Sequence, residues 1–254
     1  MSTGMSGPSI EVRAASDGWV DLGEPAARIN PRMIFAPDRS ALYVAVPKTG
    51  CTTVKTIVAV AAGMLRAKAL ERRSRGAIHD RWRDREANWS HLSEAERQAL
   101  LTGAATFRFT SVRNPFERLV SCYLNKIVGR GEDAYLGRRM KDLGVGSLLS
   151  FLEVVARQRP LLRDVHCRAM VDLTHISAVR YDDIVRYETF EADLRRIMVR
   201  LNAPSLDIPT AARNRTDAGS HLHELLGPRE CDLIREIYRR DFEIFGYSMD
   251  LPVP

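Results

Sequence analysis

The feature that most constrains this chain is a pair of segments in which a predicted strand ends at a polar turn and a helical pattern begins. Residues 41–46 read Ala-Leu-Tyr-Val-Ala-Val, a run of strand length without polar alternation. Residues 105–112 form a second predicted strand, which a helix start follows at once. A strand without alternation is typical of parallel sheets that helices cover on both faces. The order therefore predicts an α/β fold with a central parallel sheet flanked by helices.

The other patterns along the chain fit a single domain. The length of 254 residues allows one large domain or two small ones at about 100–200 residues each, and no internal repeat divides it. Residues 1–38 carry Gly, Pro and Ser with little periodicity, so they predict a loosely structured lead-in to a domain at 39–254. Further predictions are a strand at 178–181 and helices near 52–70, 93–102, 114–126, 147–158, 189–201 and 229–240.

Composition excludes several classes of protein. Apolar residues make up 45% of the chain and charged residues 28%, which excludes wholesale disorder. No run reaches the roughly 18 apolar residues that a membrane span needs. The first ten residues also lack the order of a signal peptide. We therefore expect no transmembrane segment and a cytoplasmic location, which suits four widely spaced cysteines without a C-x-x-C pair.

The basic residues narrow the choice of partner. The net charge is +6, and the 38 basic residues comprise 33 Arg and 5 Lys, a bias typical of a GC-rich bacterial genome. The positive excess fits a polyanionic partner such as a nucleotide, a nucleic acid or an anionic polysaccharide. Because lysine is so scarce, each position that it holds is informative.

The turn after the first strand suits a phosphate-like or sulfate-like group. Gly50 lets the backbone turn tightly, so that successive N–H groups and the positive end of the new helix face the turn. Lys48 adds a point charge, and Thr52 and Thr53 add hydroxyl donors. The segment is not a Walker A loop, because its lysine precedes the glycine. The alternative is an ordinary turn with a surface lysine.

The turn after the second strand places an arginine at a helix start. Arg113 ends the strand and Asn114 is a good N-cap. Pro115 suits the first helical position, and Glu117 completes a capping box. Ser121, about two helical turns further on, reaches an anion beside Arg113 only if the ligand lies along the helix. The alternative is a salt bridge for Arg113. Two such turns on one sheet predict a ligand with two separated anionic groups.

Both turns resemble the motifs of a known family. Residues 46–53, Val-Pro-Lys-Thr-Gly-Cys-Thr-Thr, look like the 5′-phosphosulfate loop of sulfotransferases that use 3′-phosphoadenosine 5′-phosphosulfate (PAPS). Residues 112–121, Val-Arg-Asn-Pro-Phe-Glu-Arg-Leu-Val-Ser, look like their 3′-phosphate motif. Residues 237–247 are similar to the usual ending of sulfotransferase family 2, which includes carbohydrate sulfotransferases and bacterial relatives. The resemblance spans residues 40–248 and implies a P-loop-like sulfotransferase fold.

The resemblance implies in-line transfer of a sulfuryl group from PAPS to a hydroxyl of a carbohydrate or glycolipid-like acceptor. A sulfuryl group carries less charge than a phosphoryl group, so no divalent metal is expected. Lys48 would neutralise charge on the bridging oxygen as the nucleotide leaves, and Arg113 and Ser121 would hold the 3′-phosphate. Cys51 is expected to be a small loop residue and not a nucleophile. The residues expected to hold the 5′ group are Lys48, Thr49, Gly50, Cys51, Thr52 and Thr53.

A hydroxyl acceptor needs a base, and histidine is the first candidate near neutral pH. His79 lies between the two motifs, where related carbohydrate sulfotransferases carry a candidate base, so we predict that His79 is the base. His166 is the alternative, although Cys167 stands where the family usually has a tryptophan.

Two other functions fit parts of the sequence. A nucleotide kinase shares phosphate-binding α/β turns, but it needs a Walker A lysine and an acidic magnesium ligand that are not visible here. A basic nucleic-acid-binding module fits the net charge and the Arg-rich residues 66–86, and it predicts that affinity falls steeply with salt. That module leaves the lysine at position 48 unexplained.

Overall fold

A computed structural model of the chain describes residues 33–66, 89–129, 135–203 and 218–253. Its sheet has the spatial order β1-β2-β3-β4. Strands β2, β3 and β4 are parallel to their neighbours, and β1 is antiparallel to β2. The predicted parallel sheet is thus confirmed for three strands, and the whole sheet is mixed. The strands are β1 (Met33–Phe35), β2 (Ala41–Val44), β3 (Phe107–Val112) and β4 (Asp183–Arg186).

Strand β1 lies in the stretch that the sequence assigned to a loose lead-in. Met33 pairs with Val44 and Phe35 with Leu42, and all three residues of β1 are buried. A three-residue strand between Pro31 and Pro37 is too short to give a periodic signal. The folded domain therefore includes residues before position 39.

The predicted strand at 178–181 is wrong, because β4 begins at Asp183, two residues after the predicted strand ends. Asp182 sets this register: its N–H donates to the carbonyl of Arg108 at 2.8 Å, and its carboxylate accepts the N–H of Arg108 at 2.8 Å. Pairing of β3 with β4 then starts from Phe109 and Asp183. Strand β4 was missed because charged residues stand at both of its ends and only Val185 is fully buried.

Helices flank the sheet and bury two apolar clusters against it. One cluster joins the strands to α1, α2 and α7, and the other joins the ends of β2 and β3 to α3, α5, α9 and α10. Helix α1 ends well before the predicted limit near residue 70, and Gly63 follows it with a φ of +68°. The helices are α1 (Cys51–Ala61), α2 (Glu94–Thr102), α3 (Pro115–Tyr123), α4 (Tyr135–Asp142), α5 (Leu148–Arg157), α6 (Met170–Thr174), α7 (Phe190–Arg200), α8 (Leu222–Leu225), α9 (Pro228–Ile237) and α10 (Arg239–Phe245).

The topology brings the two predicted turns to one place. Parallel strands end at the same edge of a sheet, and ligands of open α/β sheets bind outside those carboxyl ends. The segments that follow β2, β3 and β4 therefore meet at this edge, and they contain Lys48, Arg113 and Tyr187. Within the described ranges, no helix is long and apolar enough to cross a membrane.

Candidate functional site

The turn between β2 and α1 leaves the start of the helix open to an anion. Lys48 and Gly50 both have left-handed backbone conformations, with φ of +72° and +78°. Gly50 caps α1 without a side-chain hydrogen bond, and the first turn of α1 contains no acidic residue. In the described part of the chain, the N–H groups of Cys51 and Thr52 have no protein acceptor, whereas the N–H of Thr53 donates to Gly50 at 3.0 Å. No residue that the structure describes therefore neutralises the positive end of α1.

Thr49 does not offer its hydroxyl to a ligand. The side chain is fully buried, and its Oγ1 donates to the carbonyl of Val46 at 2.8 Å. Because that proton is committed, the 2.6 Å contact with Ser111 makes Ser111 the donor. Ser111 in turn accepts from the Tyr43 hydroxyl at 2.7 Å. This chain of hydroxyls anchors the turn to the sheet, so Thr49 can serve a ligand only through its backbone N–H.

Both its left-handed backbone conformation and the lack of room for a side chain require glycine at position 50. A Cβ at this position would lie 2.5 Å from a ring carbon of Phe190. We expect Gly50→Ala to lower the free energy of unfolding by about 2–4 kcal/mol, because it combines a strained φ with a steric clash. Gly63→Ala is the matched control, since Gly63 has a similar φ of +68° and nothing within 4 Å of its Cβ position. Urea unfolding of both variants measures the difference, and equal losses would exclude a role for the Phe190 contact.

Arg113 connects the two turns. Its Nη1 donates to the carbonyl of Lys48 at 3.4 Å, and its Nε and Nη2 donate to Oε2 of Glu117 at 3.1 and 2.8 Å. The guanidinium also lies over the ring of Tyr187, 4.1 Å from the ring centre. Arg113 is 4% exposed, so these contacts fix its position closely.

The start of α3 follows the prediction except at one residue. Oδ1 of Asn114 accepts the N–H of Phe116 at 3.0 Å, and Pro115 occupies the first turn. Glu117 pairs with Arg113 and does not complete a capping box. Glu188 instead accepts the N–H of Asn114 at 2.6 Å. The salt bridge that was the alternative role of Arg113 is present, with Glu117, and Ser121 is buried along α3.

Arg118 organises the site and was not identified from the sequence. Its side chain is 2% exposed, and its Nε donates to the carbonyl of Pro47 at 3.1 Å. The other guanidinium nitrogens donate to the carbonyls of Arg168 at 2.9 Å and Val165 at 3.4 Å. One buried guanidinium thus joins the first turn to the loop before α6. The sequence could have indicated that Arg118 is buried, because it lies on the apolar side of α3, three residues from both Pro115 and Ser121.

The loop that Arg118 holds carries a histidine paired with a carboxylate. Nδ1 of His166 lies 2.7 Å from Oδ1 of Asp164, and the same oxygen accepts the N–H of His166 at 2.9 Å. The short contact assigns the proton to Nδ1, which leaves the lone pair of Nε2 for a second partner. Burial lowers the pKa of His166, as do the charges of Lys126 and Lys48, while Asp164 raises it. The imidazole is therefore set to be neutral and basic near neutral pH.

Lys48 is the cation at the first turn. Its side chain is half-buried, and burial, reinforced by the charges of Arg113 and Lys126, lowers its pKa to about 8. Its ammonium forms no ion pair with any residue that the structure describes. His79, the base predicted from the sequence, lies outside the described residues, and its role stays a prediction.

The comparisons identify the family of the chain. The model of the Sulfotransferase family matches residues 31–248. The chain belongs to the sulfotransferase family. It is 27% identical to carbohydrate sulfotransferase 11 of Rattus norvegicus, over 85% of this chain and 67% of the relative. It is 27% identical to carbohydrate sulfotransferase 14 of Homo sapiens over 92% of this chain and 64% of the relative, and 27% identical to human carbohydrate sulfotransferase 8 over 85% and 55%. No solved structure matches.

Membership of the sulfotransferase family confirms the resemblance drawn from the two turns and the tail. In this sulfotransferase, residues 237–247 hold the segment that directly follows His166 in place through hydrogen bonds. The carboxylate of Asp241 accepts the N–H groups of Met170 and Val171, both at 2.8 Å, and the Tyr238 hydroxyl donates to the carbonyl of Cys167 at 2.6 Å. Burial raises the pKa of Asp241 to about 6. The chain spans between about half and two thirds of the length of these relatives.

Proposed function

We propose that this chain transfers the sulfuryl group of PAPS to a hydroxyl of a carbohydrate or glycolipid-like acceptor. Membership of the sulfotransferase family supports the class of reaction, and the relatives are named carbohydrate sulfotransferases. The cytoplasmic location expected from the sequence is part of the same proposal.

The observation that carries the proposal is the hydrogen bond from Arg113 to the carbonyl of Lys48. It places two cationic turns side by side at the carboxyl edge of the sheet, as a ligand with two separated anionic groups requires. The N–H groups at the start of α1, with Thr52 and Thr53, bind the 5′-phosphosulfate. Arg113 and Ser121, along α3, bind the 3′-phosphate.

In the proposed transfer, Lys48 serves the leaving group and His166 serves the acceptor. The acceptor oxygen attacks sulfur while its proton passes to Nε2 of His166, and Asp164 stabilises the resulting imidazolium through Nδ1–H. The bond between sulfur and the bridging phosphate oxygen breaks. Adenosine 3′,5′-bisphosphate (PAP) leaves with the electron pair, and Lys48 neutralises the charge that develops on that oxygen. His166 then returns its proton to solvent.

We assign the base to His166 because it has a carboxylate partner at 2.7 Å and lies within the electrostatic influence of Lys48. The predicted base, His79, is the competing assignment. No metal is needed, since a sulfuryl group carries less charge than a phosphoryl group.

Calorimetric titration with PAP, 5′-AMP and Mg-ATP tests the nucleotide site. We expect PAP to bind most tightly, and Arg113→Ala to weaken PAP binding by about 10- to 100-fold through loss of charge-assisted hydrogen bonds. Affinity for 5′-AMP should change little, because it lacks the 3′-phosphate. Arg195→Ala is the matched control, since Arg195 forms an exposed i,i+4 ion pair with Glu191 on α7.

The same titration separates the alternative functions. A preference for Mg-ATP would favour the nucleotide kinase and contradict the proposal. Equal affinity for all three nucleotides, together with salt-sensitive binding of nucleic acid, would favour the nucleic-acid-binding module.

Arg113→Lys keeps the charge but not the bidentate geometry, so an intermediate affinity shows that the effect is on binding and not on folding.

A further inference from the structure

Lys126 lies on an unusual element beside the site. It is one of five lysines in the chain and belongs to a π-helix, Leu124–Val128, that continues α3. The N–H of Gly129 donates to the carbonyl of Leu124 at 2.8 Å, which closes the wider turn. Single π-helical turns within longer helices occur frequently at functional sites, because the extra residue redirects the side chains that follow it.

The position of Lys126 follows from α3, which the π-helix continues. Arg118 and Cys122 are four residues apart and so share one side of α3, and Lys126 lies in the π-helical turn that follows them. Arg118 reaches the carbonyls of Pro47 and Val165 from that side. These residues immediately precede Lys48 and His166, and Lys126 lies one turn beyond Cys122, close enough for its charge to act on both of them.

Electrostatics agree with this placement. The charge of Lys126 lowers the pKa of Lys48, of His166 and of Asp164. Lys126 is half-buried and has no acidic partner among the residues that the structure describes. Two partly buried ammonium groups that repel each other without a counter-ion are unfavourable unless an anion joins them.

We propose that Lys126 binds the sulfuryl oxygens of PAPS, between the bridging oxygen served by Lys48 and the acceptor hydroxyl served by His166. This inference rests on the proposed function. During transfer the sulfuryl group moves from the bridging oxygen towards the acceptor, and it must pass between these two residues. A cation that acts on both of them is placed to hold the group in the ground state and through the transfer.

The test compares PAPS with PAP, which lacks the sulfuryl group. We expect Lys126→Met to weaken PAPS binding by about 10-fold while PAP affinity stays within about twofold, because only PAPS loses a charge-assisted contact. Lys126→Arg keeps a cation and should recover most of the PAPS affinity. Lys141→Met removes an exposed lysine from α4 and should change neither affinity. Affinities come from displacement of a fluorescent nucleotide.

Each remaining outcome overturns the inference. Equal losses for PAPS and PAP would place Lys126 on the nucleotide, and no loss for either would leave it for an acidic acceptor or for solvent. Failure of the proposed function is distinguishable, because the wild-type chain would then show no preference for PAP over 5′-AMP.

Discussion

Replacing His166 by glutamine is expected to lower the rate of sulfuryl transfer by about 100- to 10,000-fold, the usual contribution of a general base. Glutamine has a similar size and can still bond to Asp164, but it cannot take the proton of the acceptor hydroxyl. The affinity for PAP should stay nearly constant, since the imidazole does not serve the nucleotide. The measurement is transfer of labelled sulfate from PAPS to a panel of oligosaccharides, with PAP titration alongside.

The control for this experiment is the competing histidine. His79→Gln should keep most of the transfer activity, and the opposite result, an active His166→Gln and an inactive His79→Gln, would return the base to His79. Asp164→Asn adds a graded test, because it preserves the size of the partner of Nδ1 but not its charge. The wild-type rate should fall in acid only below about pH 6.5, the ordinary pKa of histidine, since burial and the lysines lower the pKa of His166.

The sequence alone predicted the parts of this protein that depend on residues close together in the chain. Strands β2 and β3 and the helix starts near residues 93 and 114 follow from residues that are adjacent in the chain. The two anion-suited turns were predicted in the same way, because a strand that ends at a glycine or an arginine before a helix is a local pattern.

The sequence was insufficient where distant segments decide the contact. Nothing near Thr49 indicates that its hydroxyl closes a chain with Ser111 and Tyr43, since these residues meet only when β2 and β3 pair. Arg118 was overlooked because an arginine in a helix usually faces solvent, and its three acceptors come from two other segments. His166 and Lys48 are likewise far apart in the sequence. The order of the motifs therefore pointed to His79 and could not show that the His166 loop is held beside the first turn, and the choice between the two histidines stays a prediction.

Replacing Lys48 by methionine is expected to lower the rate of transfer by about 100- to 1,000-fold, the loss typical of one group that stabilises developing negative charge. Methionine keeps the length of the side chain, so the left-handed turn at Lys48 should survive, and a near-UV circular dichroism spectrum checks it. PAP affinity should fall by a smaller factor, because the charge on the bridging oxygen is greatest during transfer.

The wild-type protein should lose the contribution of the Lys48 charge to sulfuryl transfer in alkaline solution. Burial and the neighbouring cations lower the pKa of Lys48 to about 8, so its charge is present near neutral pH and disappears as the pH rises through that value. Since kcat/KM for PAPS reports groups of the free enzyme, it should decline above about pH 8. Lys48→Arg, whose guanidinium stays charged, should remove the decline even if its rate is lower. A decline that persists in Lys48→Arg would assign the alkaline limb to another group, whereas its loss would identify Lys48 as the cation that stabilises the leaving nucleotide.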